Sequence, residues 1–347
     1  MENKILQSIV EITRHRDLDS LEYAFVATLH ELLDVNRIAL YRLIKEDRID
    51  RVDEIVCLNI DPAAKGQKRF TWNKEIRTVE PEGQLAFCLE SRAQVSSALD
   101  SAGIRYAIPI EASGQLLGAV VLDAAESVES LELVEALVKI YGNYKIILHE
   151  SEHDKLTGLL NRRAFETKLN RLLKAQRLGN EYADAEPALH VVPKGDDQSH
   201  PWLAVVDVDH FKRVNDSFGH VYGDEILLLL SQQMKGYFGK RDLLFRVGGE
   251  EFLVILAPVS AEQAHAKLDG FRSTIANHAF PQVGTVTVSI GYAKIRPGDY
   301  PRRIFDLADK ALYVAKAQGR NRIFNYESLV EEGQLSDEDR SGSIELF

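Results

Sequence analysis

The sequence predicts a two-domain α/β chain of the α+β kind, with helices flanking a sheet in each domain. Three observations carry that expectation. A length of 347 residues suggests two domains. A hydrophobic content of 45% is ample for buried cores. Helical stripes and strand-type runs occur in both halves of the chain.

In the N-terminal half, Ile5, Leu6, Ile9, Val10 and Ile12 form a helical stripe. Ser20 to Leu33 reads as a second helix, buried along Leu21, Ala24, Phe25, Thr28, Leu29 and Leu32. Arg37 to Ile44 alternates like a strand. Ile104–Ile110 and Leu116–Leu122 read as two strands joined by the turn Ala112-Ser113-Gly114-Gln115. A helix pair, a strand, then Ile108-Pro109-Ile110 followed after five residues by Leu116–Leu122 resembles a GAF domain over roughly residues 15–125. The resemblance implies a GAF-like antiparallel sheet and a sensory or dimerisation role for residues 1–128. The input would be a small-molecule or protein signal that the sequence does not name. Trp72, Phe87 and Tyr106 fit either a pocket lining or core packing.

Residues 129–153 read as a connecting helix. Leu133, Leu137, Ile140, Tyr144 and Ile147 recur at alternating four- and three-residue steps, as in a heptad seam. With about three heptads, a parallel coiled coil and an amphipathic helix packed on its own domain are both open.

The most informative stretch is Arg246-Val-Gly-Gly-Glu-Glu-Phe252. It separates two apolar runs, 242–245 and 252–257, and so reads as a β-hairpin. Gly248 and Gly249 are expected to allow positive φ and to leave no Cβ in a ligand's way. Glu250 and Glu251 then project from a tight turn and suit a hard cation.

A second acidic cluster supports this. Trp202 to Val206 is a continuous apolar run, as in a buried central strand. Asp207 and Asp209 lie at its carboxyl end, on one face. Asn215, Gly219, Gly223 and Asp224 follow, with a helix from Ile226 behind them. Asn and Asp together match the edge of a purine base, or serve as caps and turns. His210 and His220 lack a partner His or Cys at metal spacing and read as structural.

These residues resemble the GGDEF family of diguanylate cyclases, with Gly248–Phe252 as the Glu variant of the signature. Asp154–Arg163, Asp207–Asp224, Val288–Gly291 and Ala308–Arg322 fit the family in order. The resemblance implies a GGDEF domain at residues 154–326, with a central mixed sheet surrounded by helices as in nucleotidyl cyclases. It makes Asp207, Glu250 and the Val208 carbonyl the ligands of Mg²⁺, or of Mn²⁺ in its place. It makes Asn215 and Asp224 the guanine-reading pair. Lys212, Lys316 and Arg320 would contact GTP phosphates, and the Phe211 and Lys212 amides would form an anion nest. Gly248 and Gly249 would admit the nucleotide, Glu251 would help orient the attacking hydroxyl, and Asp209 would brace the site.

The implied reaction condenses two GTP into cyclic di-GMP and two pyrophosphates across a homodimer. The alternatives are a non-catalytic GTP-sensing or scaffold module, and a cyclase making a mixed guanine–adenine dinucleotide. The family's inhibitory Arg-x-x-Asp falls here on Gly239-Lys-Arg-Asp242, so only Asp242 remains and product inhibition is expected to be weak or absent.

The formal charge of −11 is local. Residues 179–200 carry five acids against one base, and residues 327–347 carry seven against one. These read as a mobile insertion and a disordered acidic tail. The rest is nearly neutral and has no basic aromatic patch for nucleic acid. No apolar run nears the roughly 18 residues of a membrane span, and the first residues lack signal-peptide form. Cys57 and Cys88, the only cysteines, read as reduced core residues. A cytoplasmic location is expected.

Overall fold

The computed structural model describes residues 2–45, 48–61, 70–73, 76–99, 103–128, 131–178, 199–239 and 241–336. The chain forms two compact units that divide at Ser151 and Glu152. The insertion at 179–200 lies, up to residue 198, outside the described residues.

The first unit runs α1 (Glu2–Arg14), α2 (Leu18–Leu32), β1 (Arg37–Lys45), β2 (Arg48–Ile60), β3 (Phe70–Asn73) and β4 (Arg77–Val79). It continues α3 (Gly83–Ser91), β5 (Val95–Ala98), β6 (Ile104–Ala112), β7 (Gln115–Ala124) and α4 (Leu131–Glu152). The sheet order is β3-β2-β1-β7-β6-β5, with β4 on β2, and the strand pairs are antiparallel. Ser113 and Gly114 both have positive φ, which gives the β6–β7 hairpin the backbone twist that a two-residue connection favours. One face packs Ile38, Leu40, Val120 and Leu122 against α1, α2 and α4; the other packs Ala39, Val121 and Cys57 against Leu85, Cys88 and Leu89 of α3. Both cysteines are free and buried. Trp72 stacks on Tyr23 and Tyr106 is buried, whereas Phe87 is exposed and lies outside the core.

The α4 stripe is spent on this core. Leu137 is 1% exposed, and Val134, Val138, Tyr141 and Leu148 are buried beside it. Leu133, Ile140 and Tyr144 pack against the same cluster, so of the five heptad positions only Ile147 (58% exposed) faces outward. Of the two readings, the packing of four of these positions favours the amphipathic helix seated on its own domain. Lys145 fixes its far end by donating to Glu22 Oε1 (3.0 Å) and Tyr141 Oη (3.3 Å). Burial lowers the Lys145 pKa, and Glu22 opposes that shift.

The second unit runs β8 (Leu160–Asn161), α5 (Arg162–Leu178), β9 (His200–Val208), α6 (Phe211–Phe218), α7 (His220–Tyr237), β10 (Leu243–Arg246) and β11 (Glu251–Val259). Then come α8 (Ala261–Asn277), β12 (Ala279–Phe280), β13 (Gly284–Thr285), β14 (Val288–Lys294), α9 (Pro301–Ala317), β15 (Ile323–Asn325) and α10 (Tyr326–Glu331). The main sheet has the order β15-β14-β9-β11-β10-β8. It is mixed: β14–β15 and β8–β10 are parallel, and the inner pairs are antiparallel. One face buries α7 and α8 and the other buries α5 and α9. Gly291 lets α9 lie against β14, because a Cβ there would overlap the Leu312 amide and the Ala308 carbonyl.

The acidic tail read from residue 327 is ordered at its start. Asn325 caps α10 by accepting from the Ser328 amide (2.9 Å), and Leu329 is buried in the core. Glu327 accepts from the Lys294 amide (3.1 Å) and Arg296 (3.4 Å). Net charge concealed these local bonds. Residues 337–347 lie outside the described residues.

Candidate active site

β9 lies between β11 and β14 and is buried from Pro201 to Val208. Near its end, Asp207 stands opposite Glu251 of β11 and Ser289 of β14. The β10–β11 hairpin brings Glu250 beside it, with the Val208 amide donating to the Glu250 carbonyl (3.4 Å). Burial pushes the Asp207 carboxyl up, Lys316 pulls it back, and Glu251 and Asp209 add to the rise. Burial also raises Glu250, joined by Asp207 and Glu251 and opposed by Lys316. Negative charge is therefore crowded against the end of one central strand. Lys316 supplies the nearest compensation, with Nζ 2.8 Å from Asp207 Oδ1. A hard cation would relieve the same crowding.

Asp209 does not share this exposure to a ligand. It accepts from Thr287 Oγ1 (2.7 Å), Ser289 Oγ (2.7 Å) and the Asn321 amide (3.0 Å). It thereby ties the end of β9 to β14 and to the turn that carries Arg320. Arg320 and Asn321 both adopt positive φ in that turn.

The hairpin glycines work differently from the sequence expectation. Neither Gly248 nor Gly249 has positive φ. Their contribution is space. A Cβ on Gly248 would stand 3.1 Å from Glu251 Oε2, and one on Gly249 would meet nothing within 4 Å. Arg246 shapes the tip by donating to the Gly249 carbonyl (2.9 Å) and to Asp154 Oδ1 (2.9 Å). The same Asp154 oxygen accepts from the Thr157 amide (2.9 Å) and hydroxyl (2.8 Å). Sequence reasoning missed this clamp, since its partners lie 92 residues apart. The only signal was that both Asp154 and Arg246 fall inside quoted motif blocks.

His210, in the left-handed region, turns the chain from β9 into α6, so the Phe211 and Lys212 amides open that helix without a helical acceptor. The Phe211 ring is buried, which leaves its amide for any ligand, whereas Lys212 is exposed. Asn215 on α6 and Asp224 on α7 are joined through Gly219, whose positive φ breaks one helix from the next. Asn215 Oδ1 is buried without a hydrogen-bond partner. It lies against Gly223, where a Cβ would overlap it. A buried unsatisfied acceptor is costly and calls for a donor from outside the chain. Asp224 is exposed nearby. His210 and His220 are exposed at helix starts, and no group of three or more His, Cys, Asp or Glu able to hold a metal exists among the described residues. Asp207, Glu250 and the Val208 carbonyl remain as a donor set of the size that Mg²⁺ takes when substrate oxygens complete its shell.

Asp242 is not open to a ligand. Its carboxylate accepts from the Gly239 amide (2.8 Å), the Ala257 amide (3.1 Å) and Lys267 Nζ. Replacing it with Ala should destabilise the unit by about 2–4 kcal/mol, since Lys267 and two amides lose their partner. Denaturant unfolding would measure this. Inhibition by cyclic di-GMP should be equally weak before and after the change; tight inhibition lost with Asp242 would contradict the assignment.

Paired carboxylates at the end of a central strand, with Lys316 held against Asp207, form a layout suited to phosphoryl chemistry on a nucleotide. Residues 188–322 match the family model described as "Diguanylate cyclase, GGDEF domain". The second unit carries a GGDEF domain. Over 173 residues the chain is 35% identical to Diguanylate cyclase DgcP of Pseudomonas aeruginosa, covering 49% of this chain and 23% of that protein. Over 220 residues it is 33% identical to Diguanylate cyclase DgcM of Escherichia coli K12, covering 63% and 46%. The chain therefore spans less than half the length of these curated relatives. The crystallised GGDEF domain of DgcB from Caulobacter crescentus, in complex with c-di-GMP, is 30% identical over 51% of this chain and 96% of that one, with a TM-score of 0.44. No described helix is long and apolar enough to cross a membrane.

Proposed function

We propose that the chain is a diguanylate cyclase, condensing two GTP into cyclic di-GMP with release of two pyrophosphates. The observation that carries this is the crowding of Asp207, Glu250 and Glu251 at one strand end, where burial and mutual repulsion raise two of the three carboxyls. Such a cluster favours a bound cation. Asp207, Glu250 and the Val208 carbonyl would hold Mg²⁺, which supplies charge against the phosphate oxygens. Asn215 and Asp224 would receive the guanine edge, the former through its unsatisfied Oδ1. Lys212, Arg320 and the Phe211 and Lys212 amides would hold phosphates, and Lys316 would turn from Asp207 to join them. Glu251 would orient the 3′-hydroxyl.

Each copy binds one GTP, so the 3′-oxygen of one nucleotide must reach the α-phosphorus of the other across a homodimer. The new O–P bond forms as the bond to pyrophosphate breaks, and the same exchange then closes the ring. Positioning and charge stabilisation are the protein's contribution. The first unit is read as a GAF-type domain that receives a signal and sets whether two half-sites meet. A GTP-sensing module without catalysis would be expected to have lost a carboxylate or phosphate-binding base, and this chain keeps them all.

The test is product analysis of the full chain with GTP and Mg²⁺, by chromatography and mass. Cyclic di-GMP is expected. GTP binding by a dimer that makes no product would favour the sensing module.

A further inference from the structure

Of the three bases set against phosphate, Lys212, Lys316 and Arg320, only Arg320 has positive φ. α9 ends at Ala317, and Gly319, Arg320 and Asn321 then follow one another with φ of 114°, 63° and 44°. Gly adopts such angles freely and Asn tolerates them, but they strain Arg. A strained residue keeps its conformation only where its surroundings hold it there. Four hydrogen bonds hold this turn. The Arg320 amide donates to the Ala315 carbonyl (3.0 Å), and the Arg320 carbonyl accepts from Arg322 Nε (3.0 Å). The Asn321 amide donates to Asp209 Oδ2 (3.0 Å). The fourth bond comes from another helix: Arg272 Nη1 donates to Asn321 Oδ1 (2.8 Å) from α8, 49 residues away in sequence.

Arg272 is itself fixed. Leu268, Phe271 and Ile275 bury the inner face of α8, so its backbone is anchored in the core. Its Nε donates to Asp269 Oδ1 (2.7 Å) one helical turn earlier. One planar fork thus ties a core helix to the turn, which the point charge of a Lys would not do. Only 19% of the Arg272 side chain is exposed, so it is more than a loose surface ion pair. We propose that Arg272 is a positioning residue for phosphate binding: through Asn321 it holds the left-handed turn that aims Arg320. The inference rests on the cyclase reading, which sets Arg320 against a GTP phosphate. Without Arg272 the Asn321 side chain loses its donor, Arg320 relaxes towards ordinary backbone, and its guanidinium swings off the phosphate. Base recognition is spared, because Asn215 and Asp224 ride on α6 and α7.

Binding to the full chain tests this, with a non-hydrolysable GTP analogue and with guanosine, for the wild type, Arg272→Ala, Arg320→Ala and the double variant. Arg320→Ala is expected to weaken the analogue about tenfold, and Arg272→Ala about fivefold. The double variant should bind it no more weakly than Arg320→Ala alone, since a brace has nothing to aim once Arg320 is gone. All should bind guanosine within about twofold of the wild type, which also reports a folded half-site. Should Arg272→Ala fail to fold, Arg272→Lys, which keeps the charge but loses the fork, is expected to show the same selective loss. Losses that multiply in the double variant overturn the proposal, as does equal weakening of analogue and guanosine, because a merely structural Arg272 gives either result. If Arg320→Ala weakens the analogue and Arg272→Ala does not, the proposal fails alone. If Arg320→Ala leaves the analogue unchanged, the phosphate role of Arg320 fails and takes the proposal with it.

Discussion

Glu250→Gln is expected to cut cyclic di-GMP formation by at least about a thousandfold, while raising the thermal midpoint of the GGDEF domain at neutral pH. Both effects come from one placement. Burial and the Asp207 charge hold the Glu250 carboxyl above its ordinary value. A carboxyl with a higher pKa in the folded state than in the unfolded one binds its proton more tightly when folded, so its ionised form is a burden on the fold. The burden is absent below the unfolded value, grows as pH climbs through the raised folded value, and is complete at neutral pH. Gln keeps the shape and removes the charge. Mg²⁺ should raise the wild-type midpoint at neutral pH, and do so less as pH falls through the raised carboxyl range. The variant should lose most of that response. Thermal unfolding with and without Mg²⁺, between about pH 5 and pH 7.5, measures all three. A midpoint below wild type at neutral pH, or an undiminished Mg²⁺ response, would contradict the account.

Gly291→Ala is expected to displace a whole helix, at a loss of about 3 kcal/mol in the GGDEF domain. The added methyl would overlap backbone atoms of Leu312 and Ala308, and backbone in a packed helix has no rotamer in which to yield. α9 must move away from β14. It carries Lys316, and the turn after it carries Arg320 and the Asn321 amide that braces Asp209. Turnover should therefore collapse while base recognition survives, because Asn215 and Asp224 ride on α6 and α7. Denaturant unfolding and binding of a GTP analogue separate the two. Unchanged stability would show that α9 tolerates the displacement.

The central strand and the signature hairpin were legible because each is contiguous and written in one period. Trp202–Val206 has no polar interruption, and the hairpin sets two apolar runs about a Gly-Gly pair. The acid pair on β9 was legible as position, but its division of labour was suggested only by the family resemblance. What distinguishes Asp207 from Asp209 is Thr287 and Ser289, about eighty residues downstream. The Asp154–Arg246 clamp is hidden for the same reason. The heptad stripe was ambiguous because 3.5- and 3.6-residue periods diverge by only about 20° per heptad. Three heptads cannot tell a partner helix from the domain's own sheet, and the burial of Leu137 and Tyr141 favours the sheet. The long β2 and the short α3 left little trace, being interrupted by charge and by exposed positions.

The seat of α4 bears on how these units can be recombined. A helix that looks like a spacer in the sequence is, from Val134 to Leu148, one wall of the first unit. A chimera that keeps residues 1–128 and splices a foreign output after them would leave an open trough along Phe25, Ile38 and Val120. One that grafts a foreign sensor before residue 129 would bring along a loose apolar helix in search of a sheet. The natural joint for exchange lies some twenty residues further on, past Leu148, where the helix has finished packing and the GGDEF domain has yet to begin.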